Sequence, residues 1–199
     1  MIRNAFHVLI ASLVSFVSSA TLAQDAPRNV ILYITDDQGM NDAGCYGSTW
    51  LRTPGLDDLA ANGLRFTHAF ATTPSCSASR SVILSGLHNH ANGMYGLQHR
   101  NHHFSSFDGV RSLPKRLTEA GYRTRVSGKY HVAPEEVYPF DEMRPVRAPV
   151  EMADDCRDFI AADSDRPFFL LFGTTEPHRP FRREGATPVS PDEVVVPDY

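Results

Sequence analysis

The chain has 199 residues, 42% of them hydrophobic and 21% charged, enough apolar content for one domain with a real core. A net charge of -4 excludes a broad basic surface of the kind that holds nucleic acid. The three cysteines, Cys45, Cys76 and Cys156, fit a protein with few or no disulfides.

Taken in chain order, Arg3 precedes an apolar stretch from Phe6 to Val17, and Ser18 to Ala23 supplies small residues for cleavage after Ala23. Residues 1–23 are therefore expected to be an export leader, with an uncleaved N-terminal anchor as the alternative. The apolar core is too short for a membrane span, so no stable membrane insertion is expected and the expected destination is periplasmic or extracellular, or lysosomal in a eukaryote. The run Asn29 to Thr35, NVILYIT, reads as a buried strand bounded by Pro27 and by Asp36-Asp37-Gln38-Gly39. Two adjacent carboxylates at a strand end repel one another. They suit either a solvated turn or a hard divalent cation with oxygen ligands.

Thr53-Pro54 opens a helix that closes at Gly63, and Leu64 to Phe70 reads as a strand. In the stretch TTPSCSASRSVILSG, Pro74 and small residues give way to an apolar run ending at Gly86, which is a loop feeding a helix. A cysteine at such a helix start is either plain packing or a thiol activated by unpaired N–H groups. Arg80 follows one helical turn on, on the same face, where its guanidinium could grip an oxyanion. Five histidines, His88, His90, His99, His102 and His103, then crowd one loop region. Imidazoles suit zinc or copper, but the spacing matches no compact zinc pattern, and a loop rimming a pocket is the preferred reading.

Leu113 to Ala120 is a helix by apolar spacing, capped by Gly121, and it enters a strand at Arg123 to Ser127. Pro134 to Pro149 is a long proline-rich loop, Val150 to Ala162 a helix, and Pro167 to Gly173 an apolar strand buried on both faces. From Pro177 onward irregular chain is expected. The alternation predicts an α/β fold, a mostly parallel sheet flanked by helices, whose strands deliver polar groups from their C-terminal ends.

Cys76-x-Ala78-Ser79-Arg80, together with Asp36-Asp37 upstream, resembles the signature of the formylglycine-dependent sulfatases of the alkaline-phosphatase-like superfamily. The commoner motif has proline where Ala78 stands, which leaves open the maturation system. Gly128-Lys129-Tyr130-His131 and Glu176-Pro177-His178 resemble further elements of that family, in its order. Asn92 to Leu97, His102-His103-Phe104, Val110 to Pro114 and Val137 to Asp141 are similar to the heparan N-sulfatase (sulfamidase) branch.

The resemblance implies the alkaline-phosphatase-like sulfatase fold and hydrolysis of sulfate from sulfated sugars, N-sulfoglucosamine of heparan-type glycans first and ester-linked sulfate second. It implies that a formylglycine-generating or sulfatase-maturing enzyme oxidises Cys76 to an aldehyde whose hydrate attacks sulfur. It makes Asp36, Asp37 and the modified Cys76 ligands of Ca2+, with Mg2+ as the alternative. Cys76, Arg80, Lys129, His131 and His178 become the catalytic set, and Lys129 and His178 contact sulfate. His103 is expected at the rim of the sugar pocket. Members of the family are much longer and complete their metal site with a downstream Asp-Asn pair that this chain lacks, so residues 24–199 are expected to be the N-terminal part of a catalytic domain, with weak or no activity alone. A phosphoester or phosphonate hydrolase, and an inactive sulfosugar-binding protein, are the rival readings.

Overall fold

A computed structural model describes residues 27–162 and 165–180. The leader expected at residues 1–23 and most of the tail lie outside the described residues. Four strands, β1 (Val30–Asp36), β2 (Arg123–Gly128), β3 (Glu142–Arg144) and β4 (Phe168–Pro177), form one sheet in the order β1-β4-β2-β3, all neighbours parallel. Around it stand α1 (Pro54–Asn62), α2 (Cys76–Ser85), the single turn α3 (Asn89–Asn92), α4 (Leu113–Glu119) and α5 (Pro149–Ala161).

The two faces of the sheet follow from the period of two along β4. Phe168, Leu170 and Phe172 pack with Met152, Cys156 and Phe159 of α5. Phe169 and Leu171 point the other way, into the larger core with Ala78 and Leu84 of α2, Val126 and Tyr138. A strand covered on both faces needs apolar residues at every position, which is why the β4 segment reads as a continuous apolar run. Helix α5 is held against the sheet by charge as well. Arg125 of β2 lies 4.4 Å from the Phe159 ring centre and donates from Nη1 to the Asp155 carbonyl at 3.0 Å, while its Nε and Nη2 pair with Glu142 of β3.

Three expectations are corrected. Leu64 to Phe70 is not a strand: it joins no strand ladder among the described residues, and Leu64 and Phe70 are 90% and 85% exposed. An apolar run becomes a strand only where a neighbour accepts its backbone groups. β1 is less buried than its composition suggests, with Ile31 55% exposed, because within the described sheet it is an edge that pairs only with β4. The proline-rich loop contains β3, whose three residues were too few to register as a pattern.

Cys45, Cys76 and Cys156 are all free thiols. No described helix is long and apolar enough to cross a membrane.

Ser112 starts α4 and joins it to the core: its hydroxyl accepts from Lys115 N–H at 3.4 Å and donates to the Val137 carbonyl at 2.5 Å, fully buried. Ser112→Ala removes a helix cap and leaves a buried carbonyl unpaired, so urea denaturation should show a loss of about 1–3 kcal/mol.

Candidate active site

Because every strand pair is parallel, β1, β4 and β2 all end at one edge, and that edge gathers the chemistry. β1 ends in Asp36, β2 in Gly128 followed by Lys129, and β4 in Pro177 followed by His178. Ile34 and Gly128 both register on Gly173 of β4, so Asp36 and Lys129 come from opposite sides of that glycine. A side chain there would collide: a Cβ on Gly173 would lie 2.5 Å from the Lys129 carbonyl and 3.2 Å from Arg80 Nη1. Glycine at this position leaves the room in which the two charged groups meet.

Asp36 is the buried centre of the cluster. Its Oδ2 takes an ion pair from Lys129 Nζ, and its Oδ1 lies 3.7 Å from Arg80 Nη2. The Asp36 and Arg80 side chains are 5% and 3% exposed, so both charges depend on each other for compensation. Arg80 Nη1 also donates to the Lys129 carbonyl at 2.8 Å, while Nη2 is buried with no hydrogen-bond partner. Burial pushes the guanidinium below its usual value, opposed by Asp36 and Cys76. Arginine nevertheless stays charged at neutral pH.

Cys76 is the first residue of α2, with Ser75 extended before it and Gly86 in the left-handed region closing the helix at φ 68°. The first turns of α2 are pinned by amides that the sequence reading passed over. Asn89 Nδ2 donates to the carbonyls of Ala78 at 2.9 Å and Met94 at 2.8 Å, and the fully buried Asn92 donates to Ser81 Oγ at 3.0 Å. Their only sequence signal is two asparagines just past a helix end. This network fixes the helix start in space.

The structure brings Asp36, Cys76 and His178 together, with one ligand atom of each within 4.8 Å of the others. Asp37, at φ 65°, turns its carboxylate to His178 Nε2 at 3.7 Å, and the two residues line a cavity of about 420 Å³ with Asp42, Pro177 and Arg179. Asp37 makes a left-handed turn that aspartate tolerates and stands beside His178 without being one of the three clustered groups, while Asp36 enters the cluster. With an oxygen in place of the Cys76 sulfur, Asp36 and position 76 would supply part of the roughly six to eight oxygens that calcium takes.

His131 sits behind Lys129 in the left-handed region at φ 59°. Its Nε2 lies 2.5 Å from His99 Nδ1, the rings stack at 4.7 Å, and its own Nδ1 is buried without a partner. Burial first, then Lys129, His99 and Arg80, push its pKa down to about 4, and Asp36 opposes them. The ring is thus neutral over the physiological range. His99 is the site residue the sequence did not single out; it was one of five histidines with nothing to mark it.

His103 is exposed at φ 47° and makes no hydrogen bond or ion pair to the cluster among the described residues. His88 and His90 stack on each other at 5.7 Å, so the five histidines split into separate groups, and the one described set of three candidate metal-holding groups remains Asp36, Cys76 and His178.

Comparison with known proteins places this geometry. A family model described as Sulfatase matches residues 28–144. The chain is 44% identical over 167 residues to human N-sulphoglucosamine sulphohydrolase, covering 79% of this chain and 33% of that protein. It is 31% identical over 172 residues to an ulvan-active sulfatase of Formosa agariphila, again 33% of the relative. The chain spans about a third of the length of these curated relatives. Among solved structures, one in complex with its substrate D-glucosamine-2-N,6-O-disulfate superposes with a TM-score of 0.64 at 24% identity, covering 76% of this chain and 35% of that one. Ps i-CgsB in complex with k-i-k-neocarrahexaose gives 0.70 at 23% identity, covering 77% and 46%. These structures share the parallel sheet and its flanking helices, and with the family match over most of the described residues, the chain belongs to the sulfatase family.

Proposed function

We propose that this protein supplies the sheet-edge part of the catalytic domain of a sulfatase that removes sulfate from sulfated sugars, with N-sulfoglucosamine as the first substrate to test. The observation that carries the reading is the meeting of Asp36, Cys76 and His178 within 4.8 Å, beside Arg80 and Lys129. The high identity to a relative named for N-sulphoglucosamine supports that choice of sugar.

In this reading Asp36, Asp37 and an oxygen at position 76 hold the cation, Ca2+ or Mg2+. The modified side chain and the cation supply an oxygen nucleophile of lowered pKa and a second hydroxyl through which sulfate can be expelled. The remaining work falls to the chain itself. Lys129 and Arg80 place two positive charges where sulfate oxygens gain negative charge, and their burial at 13% and 3% exposure strengthens the attraction. His178, 40% exposed on the open side of the cluster, can reach both a sulfate oxygen and the leaving nitrogen or oxygen. His131, neutral and next to Lys129, can accept a proton from a hydroxyl at position 76. His103 serves the sugar rather than the sulfate. Residues 1–23 act as a cleaved leader, so that maturation of Cys76 accompanies export.

Peptide mass spectrometry across Cys76, on protein from a host with a sulfatase-maturing enzyme, is expected to show a loss of about 18 Da, thiol replaced by aldehyde. The same preparation, carrying the complete gene product, should release sulfate from N-sulfoglucosamine faster than phosphate from an aryl phosphate. An unmodified thiol, or preference for phosphate, refutes the proposal.

A further inference from the structure

His99, the partner of His131, has no part in the reading above, and three observations give it a role. The contact is a ring–ring hydrogen bond with Nδ1 of His99 2.5 Å from Nε2 of His131. The loop that carries His99 is tied to the nucleophile's own helix, because the Gln98 N–H donates to Ser77 Oγ at 3.1 Å and Ser77 is fully buried beside Cys76. The far nitrogen of His131, Nδ1, is buried with no partner. A neutral imidazole has one proton for two nitrogens, and the bond made by one nitrogen decides what the other can do.

We infer that His99 is a positioning residue: its Nδ1 accepts the Nε2–H of His131, locking that ring in one orientation and in the tautomer that leaves Nδ1 as a bare acceptor. The direction follows from the surroundings. His131 Nδ1 is buried with no hydrogen-bond partner among the described residues, and a buried N–H left without an acceptor is rarer than a bare lone pair. The proton therefore resides on Nε2, where His99 Nδ1 accepts it. The stacked ring, at an interplanar angle of 26°, keeps His131 from rotating out of line.

The inference rests on the sulfatase reading only for its consequence. In that setting the lone pair of His131 Nδ1 is ready to take a proton from a hydroxyl at position 76. With the opposite tautomer Nδ1 would carry an N–H and could only donate.

Two substitutions separate the hydrogen bond from the stack. His99→Phe keeps a flat ring and removes the acceptor nitrogen. His99→Asn removes the ring but sets an amide oxygen near the place of Nδ1. Long-range 1H–15N imidazole spectra of the 199-residue chain should show His131 as a single Nε2–H tautomer in wild type and in His99→Asn, and as a mixture in His99→Phe. In the matured complete protein, kcat on N-sulfoglucosamine should fall about tenfold or more in His99→Phe and recover to within about threefold of wild type in His99→Asn.

A wild-type His131 that is mixed or protonated on Nδ1 overturns the inference without any variant having to fold. So does a single tautomer retained in His99→Phe, or one lost in His99→Asn. A wild-type protein with the locked tautomer but no sulfatase activity would instead refute the proposed function and leave the lock standing.

Discussion

Asp36→Asn is expected to be the most damaging single substitution at the site, and to act on stability before chemistry is considered. The change preserves shape and removes one charge, leaving Arg80 and Lys129 as two buried cations with no carboxylate between them. Breaking a buried pair by deleting one partner costs about 3–5 kcal/mol, because the survivor remains desolvated and unpaired. For a chain of this size that corresponds to a fall in melting temperature of roughly 6–20 °C. Chelated protein should be used, so that no cation contributes to the difference. The cause can be isolated with Lys129→Gln, which deletes one of the stranded cations. If charge is responsible, Asp36→Asn and Lys129→Gln together should cost less than the sum of the two, by about 1 kcal/mol or more. Strict additivity would mean that Asp36 acts through packing alone. Asp36 also opposes the depression of the His131 pKa, so the same substitution moves His131 further below about 4, away from protonation.

What the sequence made legible follows the range of the interactions. β2, α2, α4 and α5 are set by local periodicity and by turn residues, and each begins within a residue of its expected start. β4 begins one residue late and runs on to Pro177, because the polar segment Thr174 to Glu176 extends the ladder beyond the apolar run. The strand order is different in kind. That β4, last in the chain, lies between β1 and β2 is a decision of pairing between segments about 140 residues apart in one case and about 45 in the other, and nothing in NVILYIT or FFLLFG states which partner it takes. Leu64 to Phe70 shows the reverse failure, a strand-like run that joins no ladder among the described residues.

The site divides the same way. Cys76, Arg80, Lys129 and Asp36 are reactive or charged residue types that stand out at a helix start or a strand end, and the parallel sheet then had only to bring those ends to one edge. His99 and the two asparagines Asn89 and Asn92 act by holding other groups, through bonds across 32 residues in one case and 11 in the others. Supporting residues of this type have no spacing rule, since any loop that passes the right point can supply them. Gly173 is intermediate: a glycine ending an apolar strand is visible, but its purpose is seen only when Arg80 and Lys129 stand where its side chain would be.

Gly128 carries the second large effect, and it does so with no functional group at all. It ends β2 at φ 90° and registers on Gly173 of β4. A Cβ at this position would lie 2.2 Å from the Gly173 carbonyl oxygen and 2.8 Å from Met152 Sδ. Met152 is flexible and could give way, but the carbonyl is backbone within the ladder and accepts the Lys129 N–H at 2.7 Å. Relief therefore requires the ends of β2 and β4 to separate, which stretches that hydrogen bond and moves Lys129. Gly128→Ala combines a left-handed backbone penalty of about 1–2 kcal/mol with an overpacking cost of about 1–3 kcal/mol, so thermal denaturation should show a loss of about 2–5 kcal/mol. The displacement has its own signature. With Lys129 drawn away from Asp36, the coupling between Asp36→Asn and Lys129→Gln should shrink when both are measured in the Gly128→Ala background. A Gly128→Ala protein that melts within about 2 °C of wild type would show that the strand ends do not need this close approach, and that Lys129 is positioned by something other than the Gly128–Gly173 contact.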